Sequence, residues 1–189
     1  MTITTPSPAL DPRRAARAFT LVEVLIGATL GSFVLLGVLS TFLFLGRSGA
    51  NLRNYSDMET QARKALELFA EDTRQASAVT WTSATSVTLV VNTVPVTYSY
   101  SSNTFTRTLG GLPTTTLLTG VTNFSFLAYT ITGTQISDYS TAAARTIANG
   151  LTKQIQISLS ASRTTQTVAA ATNIVLSARY VLRNKRVTA

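Results

Sequence analysis

The sequence predicts an α+β chain: one long N-terminal helix packed on an antiparallel β-sheet. Three observations predict it. Residues Phe19–Leu45 form an apolar run with a single charge, Glu23. From Met58 onward apolar residues recur at three- and four-residue steps, the period of a helix with one buried face. Beyond Ala78 the residues Thr, Ser and Val dominate, and several segments alternate apolar with polar positions, as half-buried strands do. The expected parts are a transmembrane helix over 19–45, its amphipathic continuation over 46–78 and a β-rich domain over 79–189.

Taken as a helix at about 1.5 Å per residue, the apolar run is roughly 40 Å long, more than the ~30 Å hydrocarbon core of a bilayer. A cleaved secretory signal has a shorter apolar region and no buried acid; the small residues Ser48–Ala50 are the site such a reading would use. Arg13, Arg14 and Arg17 precede the run and Arg47 follows it. This bias keeps the N-terminus in the cytoplasm and sends the remainder across. Gly27 and Gly31 give a G-x-x-x-G spacing, which permits close helix approach in lipid and is also common in membrane helices generally.

Glu23 is the anomaly. An acid at the bilayer centre costs roughly 2.5–3.5 kcal/mol on insertion scales, and intramembrane acids are functional candidates by default. Glu23 lies nearer the cytoplasmic edge, where snorkelling to the headgroups explains tolerance but not purpose. A purpose requires a cation in the same apolar layer. A cut between Ala18 and Phe19 would create one, the new amine of Phe19. On one helix that amine and Glu23 are a turn apart; between two helices offset along their axes, the amine of one meets the carboxylate of the other. The attraction is strong only where water is excluded.

The amphipathic segment follows without a proline until Pro95. Met58, Ala62, Ala65, Leu66, Phe69, Thr73 and Ala76 form its apolar stripe, and Glu59, Arg63, Glu67 and Glu71 lie on the charged face. The stripe is read as core, packed on the strands that come next. Gly46 and Gly49 mark the junction between the two helical halves.

Strands are expected at Ser86–Val91, Val96–Tyr100, Thr104–Leu109, Thr122–Thr132, Lys153–Ser162 and Asn173–Arg183, with "NTVP", "SSN" and "GGLP" as turns or breaks. Short strands with short turns make an antiparallel sheet. The intervening 133–150, with a helical turn at Ala142–Ala148, and the loop at 163–171 are the places to look for a specific contact.

Composition restricts the chemistry. The chain has neither Cys nor His, and from Thr73 to Ala189 its only carboxylate side chain is Asp138. Thiol and imidazole mechanisms therefore lack their parts, and the C-terminal two-thirds cannot supply converging carboxylates, which cluster instead at Asp57, Glu59, Glu67, Glu71 and Asp72. No metal site, cofactor or enzymatic role is expected. The formal charge is +8. Arg179, Arg183, Lys185 and Arg186 with Tyr180 make the C-terminal tail either a nucleic-acid contact or a solvated basic face.

The N-terminal stretch "RAARA" followed by "FTLVEVLIG" resembles the class III signal of type IV prepilins and type II secretion pseudopilins. The resemblance implies that 1–18 is a leader removed after Ala18 by a membrane-embedded prepilin peptidase, which also methylates Phe19. It implies that Glu23 is the assembly glutamate. The family prefers Gly before the cut, where this chain has Ala18. The order "AEDTRQA", "YSYSSNTFTRT", "LLTGVTNFSFLAY" and "ARYVLRNK" is similar to the J-type minor pseudopilins and W-type minor pilins, a looser likeness. It implies a subunit that helps to initiate or cap a filament. Its partners would be other pilins or pseudopilins, the inner-membrane assembly platform and, before assembly, inner-membrane lipid. A DNA-contacting minor pilin and a major fibre subunit are the alternatives. The implied location is the bacterial inner membrane, single-pass with the C-terminal domain periplasmic, and then the pilus or pseudopilus.

Overall fold

The computed structural model describes residues 19–163 and 172–187. The expected leader over 1–18, with Ala18, and the greater part of the 163–171 loop lie outside them. The chain divides into two compact units, one ending at Leu45 and one beginning at Gly46. A single α-helix, α1 (Leu21–Gln75), contributes to both.

In the first unit every described residue is exposed. Three hydroxyls among the apolar side chains bond back to the helix: Thr29 to the Leu25 carbonyl at 3.0 Å, Ser32 to that of Ala28 at 2.8 Å and Thr41 to that of Gly37 at 3.0 Å. Polar groups satisfied within the segment suit a helix that meets no water.

In the second unit Met58, Ala62, Ala65, Phe69, Thr73 and Ala76 are buried, as the stripe predicts; Leu66 is partly buried against the same core. Small residues at 62 and 65 let the helix approach closely. Phe69 then inserts its ring edge-on to Tyr98 (centroids 5.0 Å apart) and stacked on Phe126 (5.5 Å), geometries that add to the area term.

The helix is followed by β1 (Ala78–Ser83), β2 (Ser86–Val91), β3 (Val94–Ser101), β4 (Thr104–Leu109) and β5 (Thr115–Thr119), a five-stranded antiparallel meander in chain order. Then come β6 (Val121–Tyr129), β7 (Gln135–Ile136), α2 (Ala142–Leu151), β8 (Gln154–Arg163) and β9 (Thr172–Val181); a second antiparallel sheet has the order β7-β6-β8-β9. All six expected strands form. Two sheets stand where one was expected, and β1, β5 and β7 are additional.

The hairpins β2–β3 and β3–β4 turn on Asn92–Thr93 and Ser102–Asn103, all four with positive φ, the backbone that matches strand twist in a two-residue turn. The switch between sheets occurs at Gly120 (φ +76°), where a Cβ would lie 2.5 Å from the Ser162 carbonyl oxygen. Only glycine fits there. β6 ends at Tyr129, short of the expected Thr132, because Thr130–Thr134 close a tight turn through Thr130 N–H to the Thr134 carbonyl at 2.9 Å. The expected turn at Ala142–Ala148 is a full helix, capped by Thr141 Oγ1 accepting from the Ala144 N–H at 3.0 Å. α2 covers the edge of β1, with Asn149 Oδ1 accepting the Trp81 N–H at 2.7 Å.

One ionic cluster ties α1 to the five-stranded sheet. Tyr98 and Arg107 sit opposite each other on β3 and β4. Arg107 donates to Asp72 through Nε (2.8 Å) and Nη2 (3.2 Å), and the Tyr98 hydroxyl donates to the same carboxylate. Burial, then the bond to Asp72, pushes the Tyr98 phenol well above the ordinary tyrosine range.

Replacing Asp72 with Ala should cost about 3 kcal/mol, the lower end for breaking a buried pair, because Arg107 keeps a fifth of its side chain open to water. Denaturant titration of the full chain in detergent measures it. The raised phenol gives a signed pH effect. Above about pH 10 the unfolded state loses the Tyr98 proton and the native state keeps it, so stability falls with rising pH. Tyr98→Phe should remove that part of the fall between pH 9 and 11.

Candidate functional site

Thr20 sets the start of α1. Its Oγ1 accepts the Glu23 N–H at 3.2 Å, the N-cap half of a T-x-x-E capping box. The helix therefore begins directly after Phe19, and Glu23 falls one turn along it. No donor among the described residues reaches the Glu23 carboxylate, so the other half of the box is not made. The sequence reading singled out Phe19 and Glu23 but passed over Thr20, although its spacing from Glu23 was visible.

Around this carboxylate the surface is apolar and uncovered. Phe19 is 77% exposed, Leu21 81% and Leu25 59%. A Cβ added at Gly27 or Gly31 would meet nothing within 4 Å, so the G-x-x-x-G face is presented but unpartnered among the described residues. Apolar surface of this length is stable only in lipid or against other apolar helices. An ionised Glu23 in such a setting must reach the headgroups or meet a cation from outside the described residues.

The basic tail is partly dismantled by folding. Arg179 on β9 lays its guanidinium over the Tyr129 ring, 3.6 Å from the centroid, and donates to Gln156 Oε1 through Nε (3.2 Å) and Nη2 (2.9 Å). Arg183 and Arg186 are exposed. Lys185 is buried. Its ammonium donates to the carbonyls of Gly150 (2.7 Å) and Thr152 (3.0 Å), and burial, with the nearby Lys153 charge, holds it below the ordinary lysine range. Lys185 thus fastens the tail to the end of α2 and offers no ammonium to a partner. Tyr180 turns inward against Phe69, ring centroids 5.7 Å apart. Alternation along β9 could have shown this, since Tyr180 shares a face with Leu176 and Ala178.

Residues 13–39 match the family model described as the prokaryotic N-terminal methylation motif. No curated protein matches the chain. The matched stretch contains Ala18, Phe19, Thr20 and Glu23. The chain thus carries a prepilin-type signal, and its apolar N-terminal helix with that motif supports a single-pass inner-membrane anchor. The motif is that of type IV pilin-like subunits, which are structural and are processed by a prepilin peptidase. The long helix on antiparallel sheets is the fold expected for them.

Thr20→Ala should loosen the first turn by about 1 kcal/mol. Hydrogen exchange at the Glu23 amide, measured in micelles, should accelerate about five-fold, with amides beyond Leu45 unchanged.

Proposed function

We propose that this chain is a minor pilin or pseudopilin that helps to initiate or cap a type IV pilus or type II secretion pseudopilus. One observation carries the reading: a carboxylate without a partner, one turn from Phe19, on an uncovered apolar helix that bears the methylation motif. In this reading prepilin peptidase cuts after Ala18 and methylates the Phe19 amine. Residues 19–45 hold the subunit in the inner membrane with its N-terminus cytoplasmic and residues 79–189 periplasmic. The assembly platform then moves it into the filament, where a neighbour's Phe19 amine neutralises Glu23 and the spans bury one another. Head-to-tail contacts of this kind generate an open helix. The minor role is supported by the order of the C-terminal segments and by the lack of Cys. The DNA-contacting alternative through Arg179, Arg183, Lys185 and Arg186 is disfavoured by the inward ammonium of Lys185.

Mass spectrometry of the chain from cells with active prepilin peptidase should find a mature N-terminus at methylated Phe19; intact residues 1–18 would refute the processing. Glu23→Val should leave cleavage unchanged and reduce recovery in sheared filaments at least ten-fold, the effect of losing little more than 1.4 kcal/mol of assembly energy. Entry at the normal level would refute the role of Glu23.

A further inference from the structure

Where the end of α1 approaches β9, Arg74, Arg179, Tyr180, Val181 and Arg183 line a cleft of about 290 Å³. It holds three guanidinium groups and no carboxylate. Arg179 is already fixed by Tyr129 and Gln156. Neither Arg74 nor Arg183 has an ion-pair or hydrogen-bond partner among the described residues. Gathering like charges without a counter-charge is unfavourable, and guanidinium forks suit planar carboxylates.

The chain carries the complementary surface itself. Glu59 is paired with Arg63, Asp72 with Arg107, and Asp138 is tied to Ser140. Asp57, Glu67 and Glu71 are exposed on α1 with no cation at ion-pair distance among the described residues; Glu71 Oε1 accepts from Gln75 Nε2 at 3.3 Å, and Glu67 and Glu71 form the pair nearest the end of the helix. They are four residues apart, so both carboxylates lie on one helix face, a turn from each other. Arg74 is on the same helix and reaches neither.

We propose that the Arg74–Arg179–Arg183 cleft of one copy receives the Glu67–Glu71 pair of a second copy. The two surfaces differ, so the contact is head-to-tail and can repeat along a filament. The inference rests on the reading of the chain as a filament subunit and assigns that filament a lateral contact outside the apolar helix. A duplex would ask for an extended stripe of cations along its phosphates; here the cations converge in one cleft, and Lys185 beside it points inward.

The absence of Cys makes the test specific. Full-length copies carrying Lys64→Cys, on the acidic face, are co-expressed with copies carrying Val181→Cys, which lines the cleft and is exposed, and mixed disulfides are scored in membranes and sheared filaments. The mixed species should form. Arg179→Glu with Arg183→Glu in the second copy should lower its yield about ten-fold. Glu67→Arg with Glu71→Arg in the first should do the same, and combining the two reversals should restore it to within about two-fold of the starting value. Unchanged yield in either reversal, or failure of the combination to restore it, overturns the proposal; so does loss of low-salt DNA retention on arginine reversal with the mixed disulfide intact. Cleavage at Phe19 and dependence on Glu23 are scored in the same preparations, so failure of the filament reading shows separately from failure of this contact.

Discussion

An ionisable carboxylate on a helix with nothing to cover it is the constraint on which everything else depends. From Phe19 to Gly49 every residue is exposed, and Glu23 is the only charge before Arg47. A soluble protein would bury such a stripe in its own core, and this chain supplies no element to do so among the described residues. The apolar length demands lipid or other helices. An ionised acid set in hydrocarbon then costs free energy unless it reaches the headgroups or meets a cation.

The same helix shows what a satisfied acid looks like. Asp72 is also withdrawn from water, but Arg107 and Tyr98 converge on it from adjacent strands, supplying two guanidinium bonds and a phenol. That cluster needs the β3–β4 register, because only when Tyr98 stands opposite Arg107 do both side chains reach one carboxylate. Asp72 therefore fixes α1 to the sheet, whereas Glu23, with a capped backbone and a free side chain, leaves its charge for a partner. The two acids are chemically alike. Their surroundings make one an internal tie and leave the other without a partner among the described residues.

Much of this was legible in the sequence because the signals were periodic. The three-four stripe from Met58 to Ala76 marked the buried face of α1, and alternation marked β2, β3, β4, β6, β8 and β9. What escaped was set by tertiary context. β1 and β5 are Thr-rich and carry only two buried apolar side chains each, too few to register as alternation. The division into two sheets hangs on Gly120, whose role is visible only once Ser162 lies against it. In the candidate site Phe19 and Glu23 were plain, while Lys185 was counted among the surface cations. Burial of an ammonium on two helix-terminal carbonyls leaves no trace in local sequence, since those carbonyls are contributed from residues 150 and 152.

The distribution of charge follows from the same partition. From Phe19 onward carboxylate side chains are confined to α1 and Asp138, and cations dominate the end of the chain. Had the acids and bases been interspersed, each would find a neighbour on its own copy and the surface would be electrostatically inert. Internal pairing removes Glu59, Asp72 and Asp138 from the acidic side, and Lys185 turns inward on the basic side. What remains exposed is Asp57, Glu67 and Glu71 on α1 and an arginine cleft whose Arg74 lies one helical turn beyond Glu71. In the contact proposed above, copies of the molecule neutralise one another in sequence. Exposed charge pairs are individually weak; their value in a filament lies in fixing the angular register between subunits that a featureless apolar helix bundle leaves loose.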